Sequence, residues 1–159
     1  MISANERLLT ERNNLRKDRK YLFFGKPIKN ETKIDLLNWN CGFPGPLNDL
    51  YKNSYFQILL SFPKNYPLSP PKAFFKNFVY HPNVYTNGQV CLDILTPEKW
   101  KPTMNILQIL LSIQHLLISP NIHSPANGTS CSVYMKNKFK YEEEVRNNIK
   151  KYHSKIVFE

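Results

Sequence analysis

Between Tyr80 and Trp100 the chain reads YHPNVYTNGQVCLDILTPEKW, and its one cysteine there, Cys91, has apolar neighbours and follows a turn-rich loop. A cysteine works through its thiolate, and a protease-like one needs a histidine within reach and donors for an oxyanion. His81 lies ten residues earlier, so a Cys–His pair is open. Yet Tyr80-His81-Pro82-Asn83 is a tight-turn sequence in which the imidazole can bond locally and hold the loop. The structural histidine is the expected one, because a hydrolase also requires an orienting Asn or Asp and a substrate cleft, for which no other residue speaks.

The remaining candidates for chemistry are few. Cys41, Cys91 and Cys131 are odd in number and far apart, with no C-x-x-C pair, which fits a reducing compartment. Cys41 falls on the inward phase of a strand pattern and is expected in the core. His115, on a strongly apolar segment, is expected in the core or at its boundary. His123 and His153 have no Cys, Asp or Glu at ligand spacing, so no metal site is expected.

The elements that must position Cys91 follow from periodicity. Ser3 and Glu6 make a capping-box signature, which predicts a helix from about Ala4 to Asp18. Ala4, Leu8 and Leu15, with Leu9 beside them, make only a thin apolar stripe, and Arg7, Arg12, Arg16 and Lys17 cover much of the rest, which predicts an outer helix with a basic face in water.

From Tyr21 to Phe78 the period becomes two. Leu37, Trp39, Cys41 and Phe43 form one alternating set and Phe56, Ile58, Leu60 and Phe62 another, with Tyr21 to Lys29 and Lys72 to Phe78 as strands on either side. Turn residues Pro44-Gly45-Pro46 and Asn48-Asp49 separate the central pair, and a four-stranded antiparallel meander is the simplest topology. Pro63, Pro67, Pro70 and Pro71 predict a stiff extended connection that holds Leu68 exposed.

After Trp100, Thr103 is expected to cap a helix through Ile106, Ile109, Leu110, Ile113 and Leu117. Ser124, before Pro125, is expected to cap the next helix. A last helix presents Phe139, Val145, Ile149 and Tyr152 on one side. The fold class is therefore α+β.

With 159 residues, 42% of them hydrophobic, the chain is expected to form a single domain over 1–159 with a short C-terminal end. The net charge of +10 points to an anionic partner, but the excess is spread along the chain without a basic run or zinc-finger spacing, which argues against nucleic acid. The N-terminus lacks an apolar signal core, and no apolar run reaches the roughly 18 to 20 residues that span a bilayer, so no membrane association and a cytoplasmic or nuclear location are expected.

Four linked motifs carry a resemblance that covers nearly the whole chain. Tyr80-His81-Pro82-Asn83, Asn87-Gly88, Cys91-Leu92-Asp93-Ile94-Leu95 and Trp100-Lys101-Pro102 resemble the core of the ubiquitin-conjugating enzymes, and the order of elements agrees with their fold. The resemblance implies that Cys91 accepts the C-terminal glycine of ubiquitin or a related modifier as a thioester from a modifier-activating enzyme, then passes it to a substrate lysine with a RING-type ligase, or to a ligase cysteine. No cofactor is implied, since the activating enzyme uses the ATP.

Asn83 matches the family's asparagine, which stabilises the oxyanion or orders the active-site loop, and Tyr80, His81 and Pro82 match the loop's structural residues. Ser124 stands where many members carry an aspartate, so Asp93 or Ser124 is the residue expected to orient the lysine. A Ser-Pro dipeptide is also a phosphorylation signature. Similarity places ligase contacts on Arg7, Leu68, Lys101, Pro102 and Thr103, and the activating enzyme on the basic first helix. Where the family shows tyrosine, any residue and two glycines, this chain has Tyr51-Lys52-Asn53-Ser54, of which Asn53 tolerates positive φ better than Ser54.

Asp93 and the compact turn from Pro44 to Tyr55 favour ubiquitin as the modifier. The basic balance, Asn38-Trp39-Asn40-Cys41 and Pro120-Asn121-Ile122 resemble the SUMO-conjugating member, which is the alternative. A non-catalytic binding variant of the fold would be expected to lack the cysteine, and a Cys91–His81 hydrolase is the third class.

Overall fold

Period-two alternation in the first half of the chain becomes a four-stranded antiparallel sheet in the order β1-β2-β3-β4, with β1 at Phe24–Asn30, β2 at Lys33–Pro44, β3 at Tyr55–Ser61 and β4 at Lys72–Phe75. The computed structural model describes residues 2–17 and 22–155. The expected helix end at Asp18 and strand start at Tyr21 lie outside the described residues.

Register follows the pattern of apolar residues. Trp39 pairs with Leu60, Cys41 with Ile58 and Phe43 with Phe56, and all six are buried, because a strand's alternate side chains share one face. Full burial of such side chains is worth about 1.5–3 kcal/mol each. Phe43 stacks on Phe23 and Phe56 and meets Phe75 edge-on, so the sheet's inner face is an aromatic layer.

Helix α1 (Ala4–Lys17) lies against β1 and β2, while α2 (Ile106–Ile118) runs through the core. Ile106, Ile109, Leu110, Ile113 and Leu117 are all buried. Helices α3 (Gly128–Lys136) and α4 (Lys138–Tyr152) pack together at the end of the chain. No helix of the described residues is long and apolar enough to cross a membrane.

Several local expectations are corrected. Thr103 is not the cap of α2: Asn105 is, its side chain accepting from Gln108 N–H while Gln108 Oε1 accepts from Asn105 N–H. Ser124 is not the cap of α3, whose N-cap is Asn127. The reason is that Ala126 and Asn127 N–H both donate to Pro82 O, at 2.8 and 3.0 Å, which ties the preceding segment to the His-Pro-Asn turn and delays the helix.

The proline segment is folded rather than extended. Tyr66 N–H bonds Pro63 O and Leu68 N–H bonds Asn65 O, and burial of the Tyr66 ring draws the chain into these turns. Leu68 is nonetheless 54% exposed, as expected. On α4 the inward set is Tyr141, Val145, Asn148 and Ile149, and Phe139 points to solvent. His115 is exposed, one residue out of phase with the buried face of α2.

The basic face of α1 is not wholly in water either. Glu11 stands on the buried stripe with Ala4, Leu8 and Leu15 and binds three groups at once: Arg7 Nε at 3.1 Å, Tyr66 Oη at 2.5 Å and Ile106 N–H at 2.7 Å. Burial raises its pKa despite these donors. In the Tyr51 to Tyr55 turn the left-handed residue is Asn53, with φ 59°. Ser54 is buried, and its hydroxyl donates to Tyr51 O at 2.5 Å, which gives that residue a role in closing the turn.

Candidate active site

Cys91 is placed by an extension of the sheet. Val84 and Val90 bridge antiparallel, Tyr85 N–H donates to Gln89 O, and the returning arm lies along β4, where Phe75 N–H donates to Gly88 O and Val90 N–H to Ala73 O. The turn between the arms needs Gly88, which has φ 92° and whose Cβ, if present, would stand 2.5 Å from Phe75 O. Cys91 then leaves the bridge with its N–H on Asn83 O at 2.8 Å. Its Sγ is half-buried and lies 3.8 Å from Ser124 O.

His81 is fully buried. Its Nδ1 accepts from Asn83 N–H at 3.0 Å, and its Nε2 therefore carries the proton and donates to Leu116 O at 2.8 Å. Both nitrogens are taken by the backbone, so the ring joins the turn to α2 and does not face Cys91. Burial pushes its pKa down to about 4.

The unfolded chain thus holds a proton on His81 between about pH 6.5 and about 4 that the folded chain lacks. Stability from this site is fully present above pH 6.5, falls on acidification and is lost once pH passes below about 4, a change of about 3 kcal/mol. Urea unfolding at pH 7, 6, 5 and 4 should show a His81→Gln variant that is less stable at pH 7 but has a shallower acid slope. Parallel curves for the two proteins would remove His81 as the source. His153, whose pKa burial also lowers, acts in the same sense in both and cancels from the difference.

Asn83 is also fully buried. Its Nδ2 donates to Asn121 O at 2.8 Å and Ser124 O at 3.2 Å, and its Oδ1 accepts from Asn121 N–H at 2.8 Å. One amide therefore pins the 121–124 segment to the turn that carries it. Pro82 O holds the residues that follow, accepting from Ala126 and Asn127 N–H, and Tyr80 N–H donates to Asn148 Oδ1 at 3.1 Å, which anchors the turn to α4.

A cleft of about 540 Å³ opens beside Cys91. Leu92, Asp93 and Ile94 form one wall, and Leu111, Ser112 and His115 of α2 form the other. Asp93 is 56% exposed and 3.5 Å from Lys99 Nζ. Ser124 contributes its carbonyl, rather than a carboxylate, to the surroundings of Sγ. The arrangement offers a thiol at the mouth of an open channel, with neighbours held by buried hydrogen bonds.

The family model described as "Ubiquitin-conjugating enzyme" matches residues 7–149. The chain is 39% identical over 156 residues to a protein named SUMO-conjugating enzyme UBC9 of Caenorhabditis elegans, covering 97% of this chain and 94% of that one. It is also 39% identical over 151 residues to Sumo-conjugating enzyme ubc9 of Dictyostelium discoideum, covering 94% and 95%. The chain belongs to the ubiquitin-conjugating enzyme family.

In this member of the family the residues assigned to ligase contact converge on one edge. Trp100 Nε1–H donates to Pro67 O at 2.7 Å, which brings the Lys101-Pro102-Thr103 turn to the loop bearing Leu68. Arg7 donates from Nη1 to Pro102 O and from Nη2 to Met104 O, each at 2.8 Å. Leu68, Lys101, Pro102 and Thr103 are exposed, whereas Arg7 is only 19% exposed and has its guanidinium engaged within the chain. It builds this edge more than it projects from it.

Sequence reasoning did not single out Glu11, His115 or Asn121 for the work they do. A signal existed for Glu11, which falls at i+3 from Leu8 on the apolar stripe and at i+4 from Arg7. Asn121 gave no local signal, because its partner Asn83 is 38 residues away.

Proposed function

We propose that this protein conjugates a modifier of the SUMO type. Asp93 and the compact turn from Pro44 to Tyr55 favour ubiquitin, but the two relatives named above as SUMO-conjugating enzymes support the alternative better, together with Asn38-Trp39-Asn40-Cys41 and Pro120-Asn121-Ile122. The observation that carries the chemistry is the half-buried Cys91 at the mouth of an open groove, beside a turn that the buried Asn83 amide ties to the 121–124 segment.

In the first step the Cys91 thiolate attacks the carbonyl of the modifier's thioester on the activating enzyme. A new C–S bond forms, the other thiolate leaves, and one thioester replaces another of similar energy, so no ATP is spent on this chain. In the second step the neutral amine of a substrate lysine attacks the same carbonyl. The C–N bond forms, the C–S bond breaks, Cys91 leaves as thiolate and the amine's proton passes to solvent.

Cys91 is thus the catalytic residue, Asn83 serves transfer, and Tyr80, His81 and Pro82 hold the loop. Asp93, on the wall of the groove, is the carboxylate available to orient a lysine, since Ser124 offers none. A RING-type ligase engages Leu68, Lys101, Pro102 and Thr103, with Arg7 beneath them. The enzyme works with substrate proteins in the cytoplasm or nucleus.

The test is a charging reaction with ATP, resolved without reductant, in which SUMO with its activating enzyme and ubiquitin with its own are compared. A thiol-sensitive adduct with SUMO and none with ubiquitin is expected. The opposite preference would return the modifier to ubiquitin, and no adduct with either, from a folded protein, would overturn the enzymatic reading.

A further inference from the structure

The groove beside Cys91 has walls of different character. On the helix side Leu111, His115 and Ser119 lie four residues apart, so they stand in one row along α2 and its end. The opposite side of this helix is fully buried, yet Leu111 is 42% exposed and His115 is exposed with it. On the cysteine side Asp93 is the one carboxylate among the lining residues, and its charge is offset by Lys99 at 3.5 Å, well inside a Debye length of about 8 Å. The groove therefore holds no unaccompanied negative charge, and its other ionisable wall group besides the cysteine is an imidazole.

The row from Leu111 to Ser119 runs about 12 Å, the reach of three to four extended residues. A modifier joined to Cys91 through its terminal glycine carries its preceding residues away from Sγ, and this channel is the one Cys91 opens into. Resting on the conjugating reading above, we propose that His115 is a specificity-determining residue that selects the modifier tail by the side chain its ring meets. Its ring N–H favours a carboxylate or amide side chain among the few residues before the glycine. A guanidinium there finds no carboxylate on the α2 wall.

The test uses a modifier prepared as a small-molecule C-terminal thioester, so that exchange onto Cys91 bypasses the activating enzyme's own selection. Two versions differ at one tail position three residues before the glycine, one with Glu and one with Arg. Wild-type protein should charge about two- to fivefold faster with the Glu tail, in line with one exposed hydrogen bond. His115→Ala should bring the ratio close to one, and His115→Glu should invert it while leaving the melting temperature unchanged. A ratio that is the same in all three proteins, or a loss shared equally by both tails, would overturn the role of His115 while leaving the conjugating reading intact. Absence of any thioester on Cys91 with either tail would overturn both.

Discussion

Cys91→Ala will form no modifier adduct under conditions in which the wild-type chain charges fully, and it will remain folded, because a half-buried side chain at the mouth of a groove contributes little to the core. Its unfolding free energy should match wild type within about 0.5 kcal/mol. Cys91→Ser supplies the sharper comparison. A serine hydroxyl is un-ionised at neutral pH and its alkoxide is a poor leaving group, so any adduct should form slowly, survive a thiol reductant and fail to pass to lysine. These two outcomes together identify a thioester carrier. An adduct that persists in Cys91→Ala would place the acceptor elsewhere on the chain, and a Cys91→Ser adduct that discharges at the wild-type rate would remove the argument from leaving-group ability.

The second large effect is expected at Asn83. Its amide nitrogen is spent on the carbonyls of Asn121 and Ser124 and its oxygen on Asn121 N–H. An Asn83→Ala substitution strips all three bonds from a fully buried site, which costs roughly 1–3 kcal/mol for the groups left without partners. Charging should persist, since Cys91 N–H is bonded to the backbone of Asn83 and not to its side chain. Transfer to free lysine should fall about 10²- to 10³-fold, the usual scale for losing an oxyanion donor.

For the amide to serve the oxyanion directly it must release Asn121 O or Ser124 O during the reaction. Asn83→Asp should impair transfer at least as much as Asn83→Ala, because it keeps only one of the three loop bonds. A carboxylate keeps the acceptor for Asn121 N–H but turns repulsive toward the two carbonyls and toward an oxyanion. If single-turnover transfer by Asn83→Ala, measured well below its melting temperature, equals wild type, then Asn83 acts on loop order alone.

The sheet was legible because its signal is local and repeated. Trp39, Cys41 and Phe43 opposite Leu60, Ile58 and Phe56 could be read as two alternating sets, and pairing them in register needed only a turn between. The inward face of α2 was legible for the same reason at helical period. Of the two helix caps that differ, only one was claimed by a distant group. Ser124 before Pro125 has every feature of an N-cap, yet Pro82 O takes the next two N–H groups and the helix starts at Gly128. Thr103 lost its cap to Asn105, which had a reciprocating glutamine three residues on. The proline segment was misread because φ restriction predicts stiffness but says nothing of the buried Tyr66 ring that folds it.

At the site, residue types were visible and their partners were not. Cys91, His81 and Asn83 stood out by spacing, but no spacing tells that both His81 nitrogens face backbone groups or that the Asn83 amide closes on a segment 38 residues later. Arg7 read as a solvated cation and proved to hold the Pro102 and Met104 carbonyls.

What the sequence by itself determined was the α+β order of elements, the inner faces and the presence of one reactive type in a turn-rich loop, because these follow from periodicity and residue chemistry within about ten residues. Only the tertiary structure decided which way His81 turns, what Asn83 binds, where the groove beside Cys91 runs and that His115 lines it. Those are contacts between segments remote in sequence, and their geometry is set by how the sheet, α2 and the 121–124 segment pack against one another.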